Sequence, residues 1–143
     1  MFKHILLPVD LNSEHSWRKA LPVAVENCKN FGATLHVITV VPDVGGNVAV
    51  AQFFPDGYED KMLEQAHDDL HAFSAREISE GVRVQHIISH GSIYKEILDA
   101  AVKVRADLIL MAAHGPGLGD YLIGPNAARV VRHANCSVMV VRD

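Results

Sequence analysis

Apolar and polar positions along this chain follow two alternating periods. Phe2 to Val9 carries Ile5, Leu6, Leu7 and Val9 in an almost continuous apolar run, the pattern of a strand covered on both faces. Leu35 to Val41 (LHVITVV) is a second run, rich in the β-branched residues that favour strands. Val82 to Ser89 (VRVQHIIS) alternates at first, which places it nearer a sheet edge. Leu108 to Ala113 (LILMAA) and Ser137 to Val141 (SVMVV) are further apolar runs, and the last is expected at an edge. Helical spacing fills the intervals. Asn12 or Ser13 is placed to cap a helix running to about Phe31, stopped by Gly32 and kinked at Pro22. From Tyr58 to about Ile78, residues Tyr58, Met62, Ala66, Leu70 and Phe73 fall on one stripe. Ser92 caps a helix holding Ile93, Ile97, Ala100, Ala101 and Val104, and Asn126 to His133 forms a short last helix with Ala127, Val130 and Val131 inward. The order βαβαβαβαβ predicts an α/β fold: a five-stranded, mostly parallel open sheet with helices on both faces.

Composition narrows the class. A chain of 143 residues corresponds to one domain, 1–143. With 49% hydrophobic and 21% charged residues it can bury a core, which excludes disorder. The net charge of −4 argues against a nucleic-acid binder, which needs a basic stripe. The opening MFKHILLPVD stops being apolar at Pro8 and Asp10, too soon for a signal peptide or a membrane span. No basic amphipathic helix points to membrane insertion, so a cytoplasmic location is expected. Cys28 and Cys136 are too few for a disulfide framework and form no CxxC, so buried thiols are expected. Among nine histidines, His67 and His71 are four apart on one helical face. No third ligand is identifiable, although Glu64 and Asp68 are close in sequence, and a solvated helix face without metal is expected.

Candidate chemistry collects at strand ends, where open α/β sheets bind ligands. The first strand ends in Pro8, Val9 and Asp10, the second in Val40, Val41 and Pro42. The fourth ends in Met111, Ala112, Ala113, His114 and Gly115, opening the loop HGPGLGDYLIGP before Asn126 starts a helix. Gly115, Gly117, Gly119 and Gly124 let backbone amides approach an anion, and the helix N-terminus adds partial positive charge. No lysine lies between Ala106 and Asn135, so this is not a Walker loop. Phosphoryl transfer wants cations that the loop lacks; Arg129 and Arg132 stand on the last helix. His114 has no neighbouring nucleophile and orders the loop rather than catalysing. Asp10 reads either as a ligand residue or as a helix cap. The second long loop, Pro42 to Gly57, carries Gly45, Gly46, Phe53 and Phe54 and is expected to be mobile, over the site or a dimer surface.

The segments KHILLPVD, LHVITVVP and DYLIGPNAARVVRHANCSVMVVR resemble the universal stress protein family, close to its F-type subgroup of small single-domain members. The resemblance covers essentially the whole chain. It implies a Rossmann-like, adenine nucleotide alpha-hydrolase-like fold of five strands, homodimers, and a family divided into ATP-binding and non-binding members. The binding pattern is glycine, two residues, glycine, nine residues, then glycine with serine or threonine. By that resemblance Asp10 lies beside the nucleoside, and the backbone of Val40 faces adenine. Ala112 stands at the first glycine, Gly115 at the second and Gly124 at the third, with eight residues between the last two. Pro125 replaces the serine or threonine. Proline supplies neither hydroxyl nor N–H, but suits a first helical turn, leaving the Asn126 and Ala127 amides for an anion. The implied function is an adenine-nucleotide-binding regulatory module of the stress response, taking ATP or AMP, with or without Mg on the phosphates. Its nucleotide site comprises Pro8, Val9, Asp10, Val40, Met111, Ala112, His114, Gly115, Gly124, Pro125, Asn126 and Ala127. No catalytic residue is assigned. The homodimer forms through strand 137–141. The alternative is an apo dimeric interaction module whose phosphate clamp Pro125 disables.

Overall fold

Strands β1 (His4–Pro8), β2 (Thr34–Pro42), β3 (Arg83–Gly91), β4 (Leu108–Ala112) and β5 (Ser137–Val141) form one sheet in the order β3-β2-β1-β4-β5. Every pairing is parallel. Helices α1 (Ala20–Phe31), α2 (Tyr58–Glu77), α3 (Ile93–Lys103) and α4 (Pro125–His133) connect them. The computed structural model describes residues 1–42, 57–113 and 123–142.

The strands' side chains alternate between two cores, as a period of two requires. Ile5, Leu7, Leu35, Val37, Leu108 and Leu110 pack with Leu21, Ala24 and Cys28 of α1 and Leu70 and Phe73 of α2. Leu6, Ile38, Ile109 and Met111 pack on the opposite face with Ile97, Ala100 and Ala101 of α3 and Ala127 and Val130 of α4. The central strands β1, β2 and β4 are therefore the near-continuous apolar runs. The alternating segment is the edge strand β3, and β5 forms the other edge with Val138 to Val141 only half-buried. At the amino ends, the Asp107 carboxylate accepts the amides of Lys3 at 2.8 Å and His4 at 3.1 Å. The Asp107 amide donates back to the His4 carbonyl at 3.0 Å, which locks the start of β4 to β1.

The first helix departs from expectation. A 3-10 turn at Glu14–Ser16 comes first, and α1 begins only at Ala20. Pro22 thus sits in the first turn, where amides lack intrahelical acceptors, and interrupts no ladder bond. The C-terminus is as expected: Gly32 takes a left-handed conformation at φ 66°, and the Ala33 amide returns to the Cys28 carbonyl at 3.0 Å.

Both thiols are free, Cys28 buried and Cys136 partly so. Burial pushes the Cys28 thiol up to about 11. Burial, then the charge of Asp107, raises that of Cys136. Neither is a ready thiolate. Among the described residues, no helix is long and apolar enough to cross a membrane.

Candidate functional site

The strand order creates a switch point between β1 and β4. From β1 the chain turns to one face through α1; β4 connects to β5 through α4 on the other face. Connections that diverge to opposite faces leave a crevice at the carboxyl ends of the two strands. Pro8, Val9, Asp10, Met111 and Ala112 border that crevice, with Val40 on the adjoining strand β2.

The loop after β1 is built around one hydroxyl. Val9 first donates to the Ile38 carbonyl at 2.8 Å, fixing the strand end against β2. Ser16 Oγ accepts the Asp10 amide at 2.8 Å. It directs its proton at the carbonyls of Ser13, 2.7 Å away, and Asp10, 3.0 Å away. The Asp10 Oδ1 accepts the Asn12 amide at 2.9 Å, and the Ser13 amide bonds the Asp10 carbonyl at 3.0 Å. Asp10 therefore closes a local turn and does not cap α1, whose N-cap is Lys19. A carboxylate has about four acceptor sites, so one amide leaves capacity for a ligand. Ser16 was not singled out from the sequence. Its signal lies in DLNSEHS, a cluster of residues whose side chains bond nearby backbone.

Across the crevice, Ala112 pairs with Val141, and the Ala113 amide donates to the Val141 carbonyl at 2.8 Å. Helix α4 starts at Pro125, one residue before the expected Asn126. Gly124 precedes it at φ 87° and ψ 157°, a conformation essentially reserved for glycine. The first ladder bond runs from the Ala128 amide to the Gly124 carbonyl at 3.0 Å. The Asn126 and Ala127 amides precede that ladder, and Pro125 contributes none. Arg129 lies 4.9 Å over the Tyr94 ring, a cation–π contact linking α4 to α3. Arg132 belongs to the last turn of α4, away from the helix start.

His114, Gly115, Gly117 and Gly119 lie outside the described residues, as do Gly45, Gly46, Phe53 and Phe54. Among the described residues, no group of three or more His, Cys, Asp or Glu is arranged to hold a metal ion. A separate cleft of about 280 Å³ opens between the C-terminal ends of α3 and α4, lined by Leu98, Ala101, Arg105, Ile109, His133 and Cys136. It lies at the amino ends of β4 and β5, at the end of the sheet opposite the crevice.

Comparison with known proteins bears on the family and the fold. Residues 1–142 match the universal stress protein family. Universal stress protein G of Escherichia coli O157:H7 is 27% identical over 99% of this chain and all of its own. The universal stress protein in the QAH/OAS sulfhydrylase 3' region of Thermus aquaticus is 34% identical, with the same coverage. Among solved structures, universal stress protein UspA from Lactobacillus plantarum superposes with a TM-score of 0.71 at 26% identity, covering 98% of this chain and 97% of its own. A universal stress protein in complex with cAMP gives 0.61 at 22%, covering 99% and 97%. A family member from Arabidopsis thaliana with AMP bound gives 0.56 at 17%, covering 98% and 90%.

Proposed function

The chain belongs to the universal stress protein family, and on that premise we propose that it is a cytoplasmic regulatory module of the stress response, binding AMP or ATP at the switch point between β1 and β4. The observation that carries this reading is the pairing, at one end of the sheet, of a positioned carboxylate with a helix start that presents two amides outside its ladder. Two fold neighbours with cAMP and AMP support the ligand class.

Each residue then has a chemical task. Asp10 accepts hydrogen bonds from ribose hydroxyls or the adenine amino group; it repels phosphate unless a cation intervenes. The backbone around Val40 faces the base. Ala112 meets the ribose through its backbone, and the amides of Asn126 and Ala127 face phosphate at the positive end of α4. A magnesium ion, when present, is carried by the nucleotide's own phosphates. The role is regulatory rather than catalytic: phosphoryl transfer relies on positioned cations, and no lysine lies between Ala106 and Asn135.

Asp10→Ala tests the site. Losing hydrogen bonds to a charged group costs about 1.5–3 kcal/mol, so affinity should fall at least about tenfold, equally for adenosine and ATP. A loss confined to ATP, and only with divalent metal present, would make Asp10 a metal-side residue instead.

We further propose a homodimer through β5. Its free edge is apolar and half-buried, a template for a second copy related by a twofold axis. Met139 and Val138 pack into the two cores, which makes Val140 the better position to probe. Val140→Lys should convert a dimer into a monomer in sedimentation at micromolar concentration. A wild-type chain that already sediments as a monomer there would contradict the dimer.

A further inference from the structure

Helix α2 rests on the sheet beside the edge strand β3, yet only Leu70, Phe73 and Ser74 of its residues are buried. On that face β3 presents His86, in register with Val37 of β2. The His71 ring of α2 stacks on His86 at 3.9 Å between centroids, tilted by 31°. The His67 ring stacks on His71 at 4.3 Å, tilted by 43°. His86 Nε2 and Ser74 Oγ share a hydrogen bond of 2.8 Å. The expected solvated pair of histidines is thus the outer part of a column of three imidazoles that ends on the sheet.

We propose that this column makes the seating of α2 on β3 proton-sensitive: closed when the imidazoles are neutral, loosened as they take up protons. Neutral rings stack through apolar faces, whereas two charged rings about 4 Å apart repel, the more so where water is partly excluded. Among the described residues, the surrounding charges leave the inner pair uncompensated. On α2, Asp68 lies 3.6 Å from His67 Nδ1, at the outer end, and Glu64 lines a shallow depression with His67, Asp68 and Ile88. Further along β3, Glu59 of α2 lies 2.7 Å from His90 Nδ1 and offsets charge there. The neighbouring β2 contributes Leu35, Val37, Thr39 and Val41 to this face and no charge.

Burial lowers the His86 pKa below its ordinary 6.5, and the charges of His71 and then His67 lower it further. An imidazole released from the column regains an ordinary value near 6.5, so the loosened state binds the proton first. The stability that His86 gives the seated helix is therefore complete above about pH 6.5 and is lost as pH falls through its lower seated value.

Amide hydrogen exchange, corrected for the chemical exchange rate, tests this at about pH 7.5 and about pH 5.5. In the wild type, protection across residues 63–73 should drop severalfold at the lower pH, about tenfold being the limit that His86 alone allows between about 6.5 and about 5.5, while α1 changes less than about twofold. In His71→Gln, altered at an exposed position, the drop in α2 should become smaller, because the burial of His86 still opposes the proton while the charge of His71 no longer does. Equal protection of wild-type α2 at both pH values would overturn the proposal. So would an equal drop in His71→Gln, or a fall shared by α1, which would move the proton effect to global stability.

Discussion

Pro125→Ser should raise ATP affinity about tenfold or more while leaving adenosine binding within a factor of about two. Pro125 is exposed at the first position of α4, directly after the constrained Gly124. Serine restores an N–H and adds a hydroxyl at the place where the family pattern supplies both. Each hydrogen bond to a charged phosphate is worth about 1.5–3 kcal/mol, equivalent to about tenfold or more in affinity. The proposed nucleoside end, at Asp10 and β2, is untouched. The converse holds for the wild type: AMP and ADP should bind nearly as well as ATP. The substitution gives up the preset φ of proline, which lowers fold stability by up to about 1 kcal/mol. Calorimetry on both proteins with adenosine, AMP and ATP reads the difference. A gain that adenosine shares, or no gain for ATP, would remove Pro125 from the phosphate end.

Phe73→Ala should destabilise the fold by about 3–5 kcal/mol, the range for emptying a large aromatic site in a core. Phe73 is 2% exposed and packs edge-to-face on Trp17 at 5.0 Å between centroids. It joins α2, the loop before α1 and the sheet in one cluster. Because α2 buries so few side chains, little else on that helix replaces the lost contact. Against a typical total of about 5–15 kcal/mol, this is a large fraction. Urea unfolding reads it as a lower midpoint. A shift equivalent to less than about 1 kcal/mol would mean that the site collapses around the missing ring.

Much of the architecture was legible because burial writes its period into the sequence. Strands buried on both faces read as unbroken apolar runs, and the alternation of VRVQHIIS marked the edge strand. The stripe of α2 was only half informative: Leu70 and Phe73 are buried, while Tyr58, Met62 and Ala66 are half-exposed toward the helix start. The start of α1 was misread because Asn12 and Ser13, good caps in principle, belong to the turn tied to Asp10. That turn depends on Ser16, six residues away, and such a loop bond leaves no periodic trace. The strand-end location of the candidate site is an inference from the fold class, whereas the adjacency of β1 and β4 required the strand order itself. The stacking of His71 on His86 joins separate elements and has no local signature.

The most direct measurement is titration calorimetry of the wild-type protein with AMP and ATP, with folding verified in the same sample. The expected result is saturable binding of one nucleotide per chain, with AMP and ATP affinities within about tenfold, less than 1.4 kcal/mol apart. A folded protein that gives no binding heat with AMP, ATP or adenosine, and displaces no nucleotide on denaturation, would contradict an adenine-nucleotide site between β1 and β4.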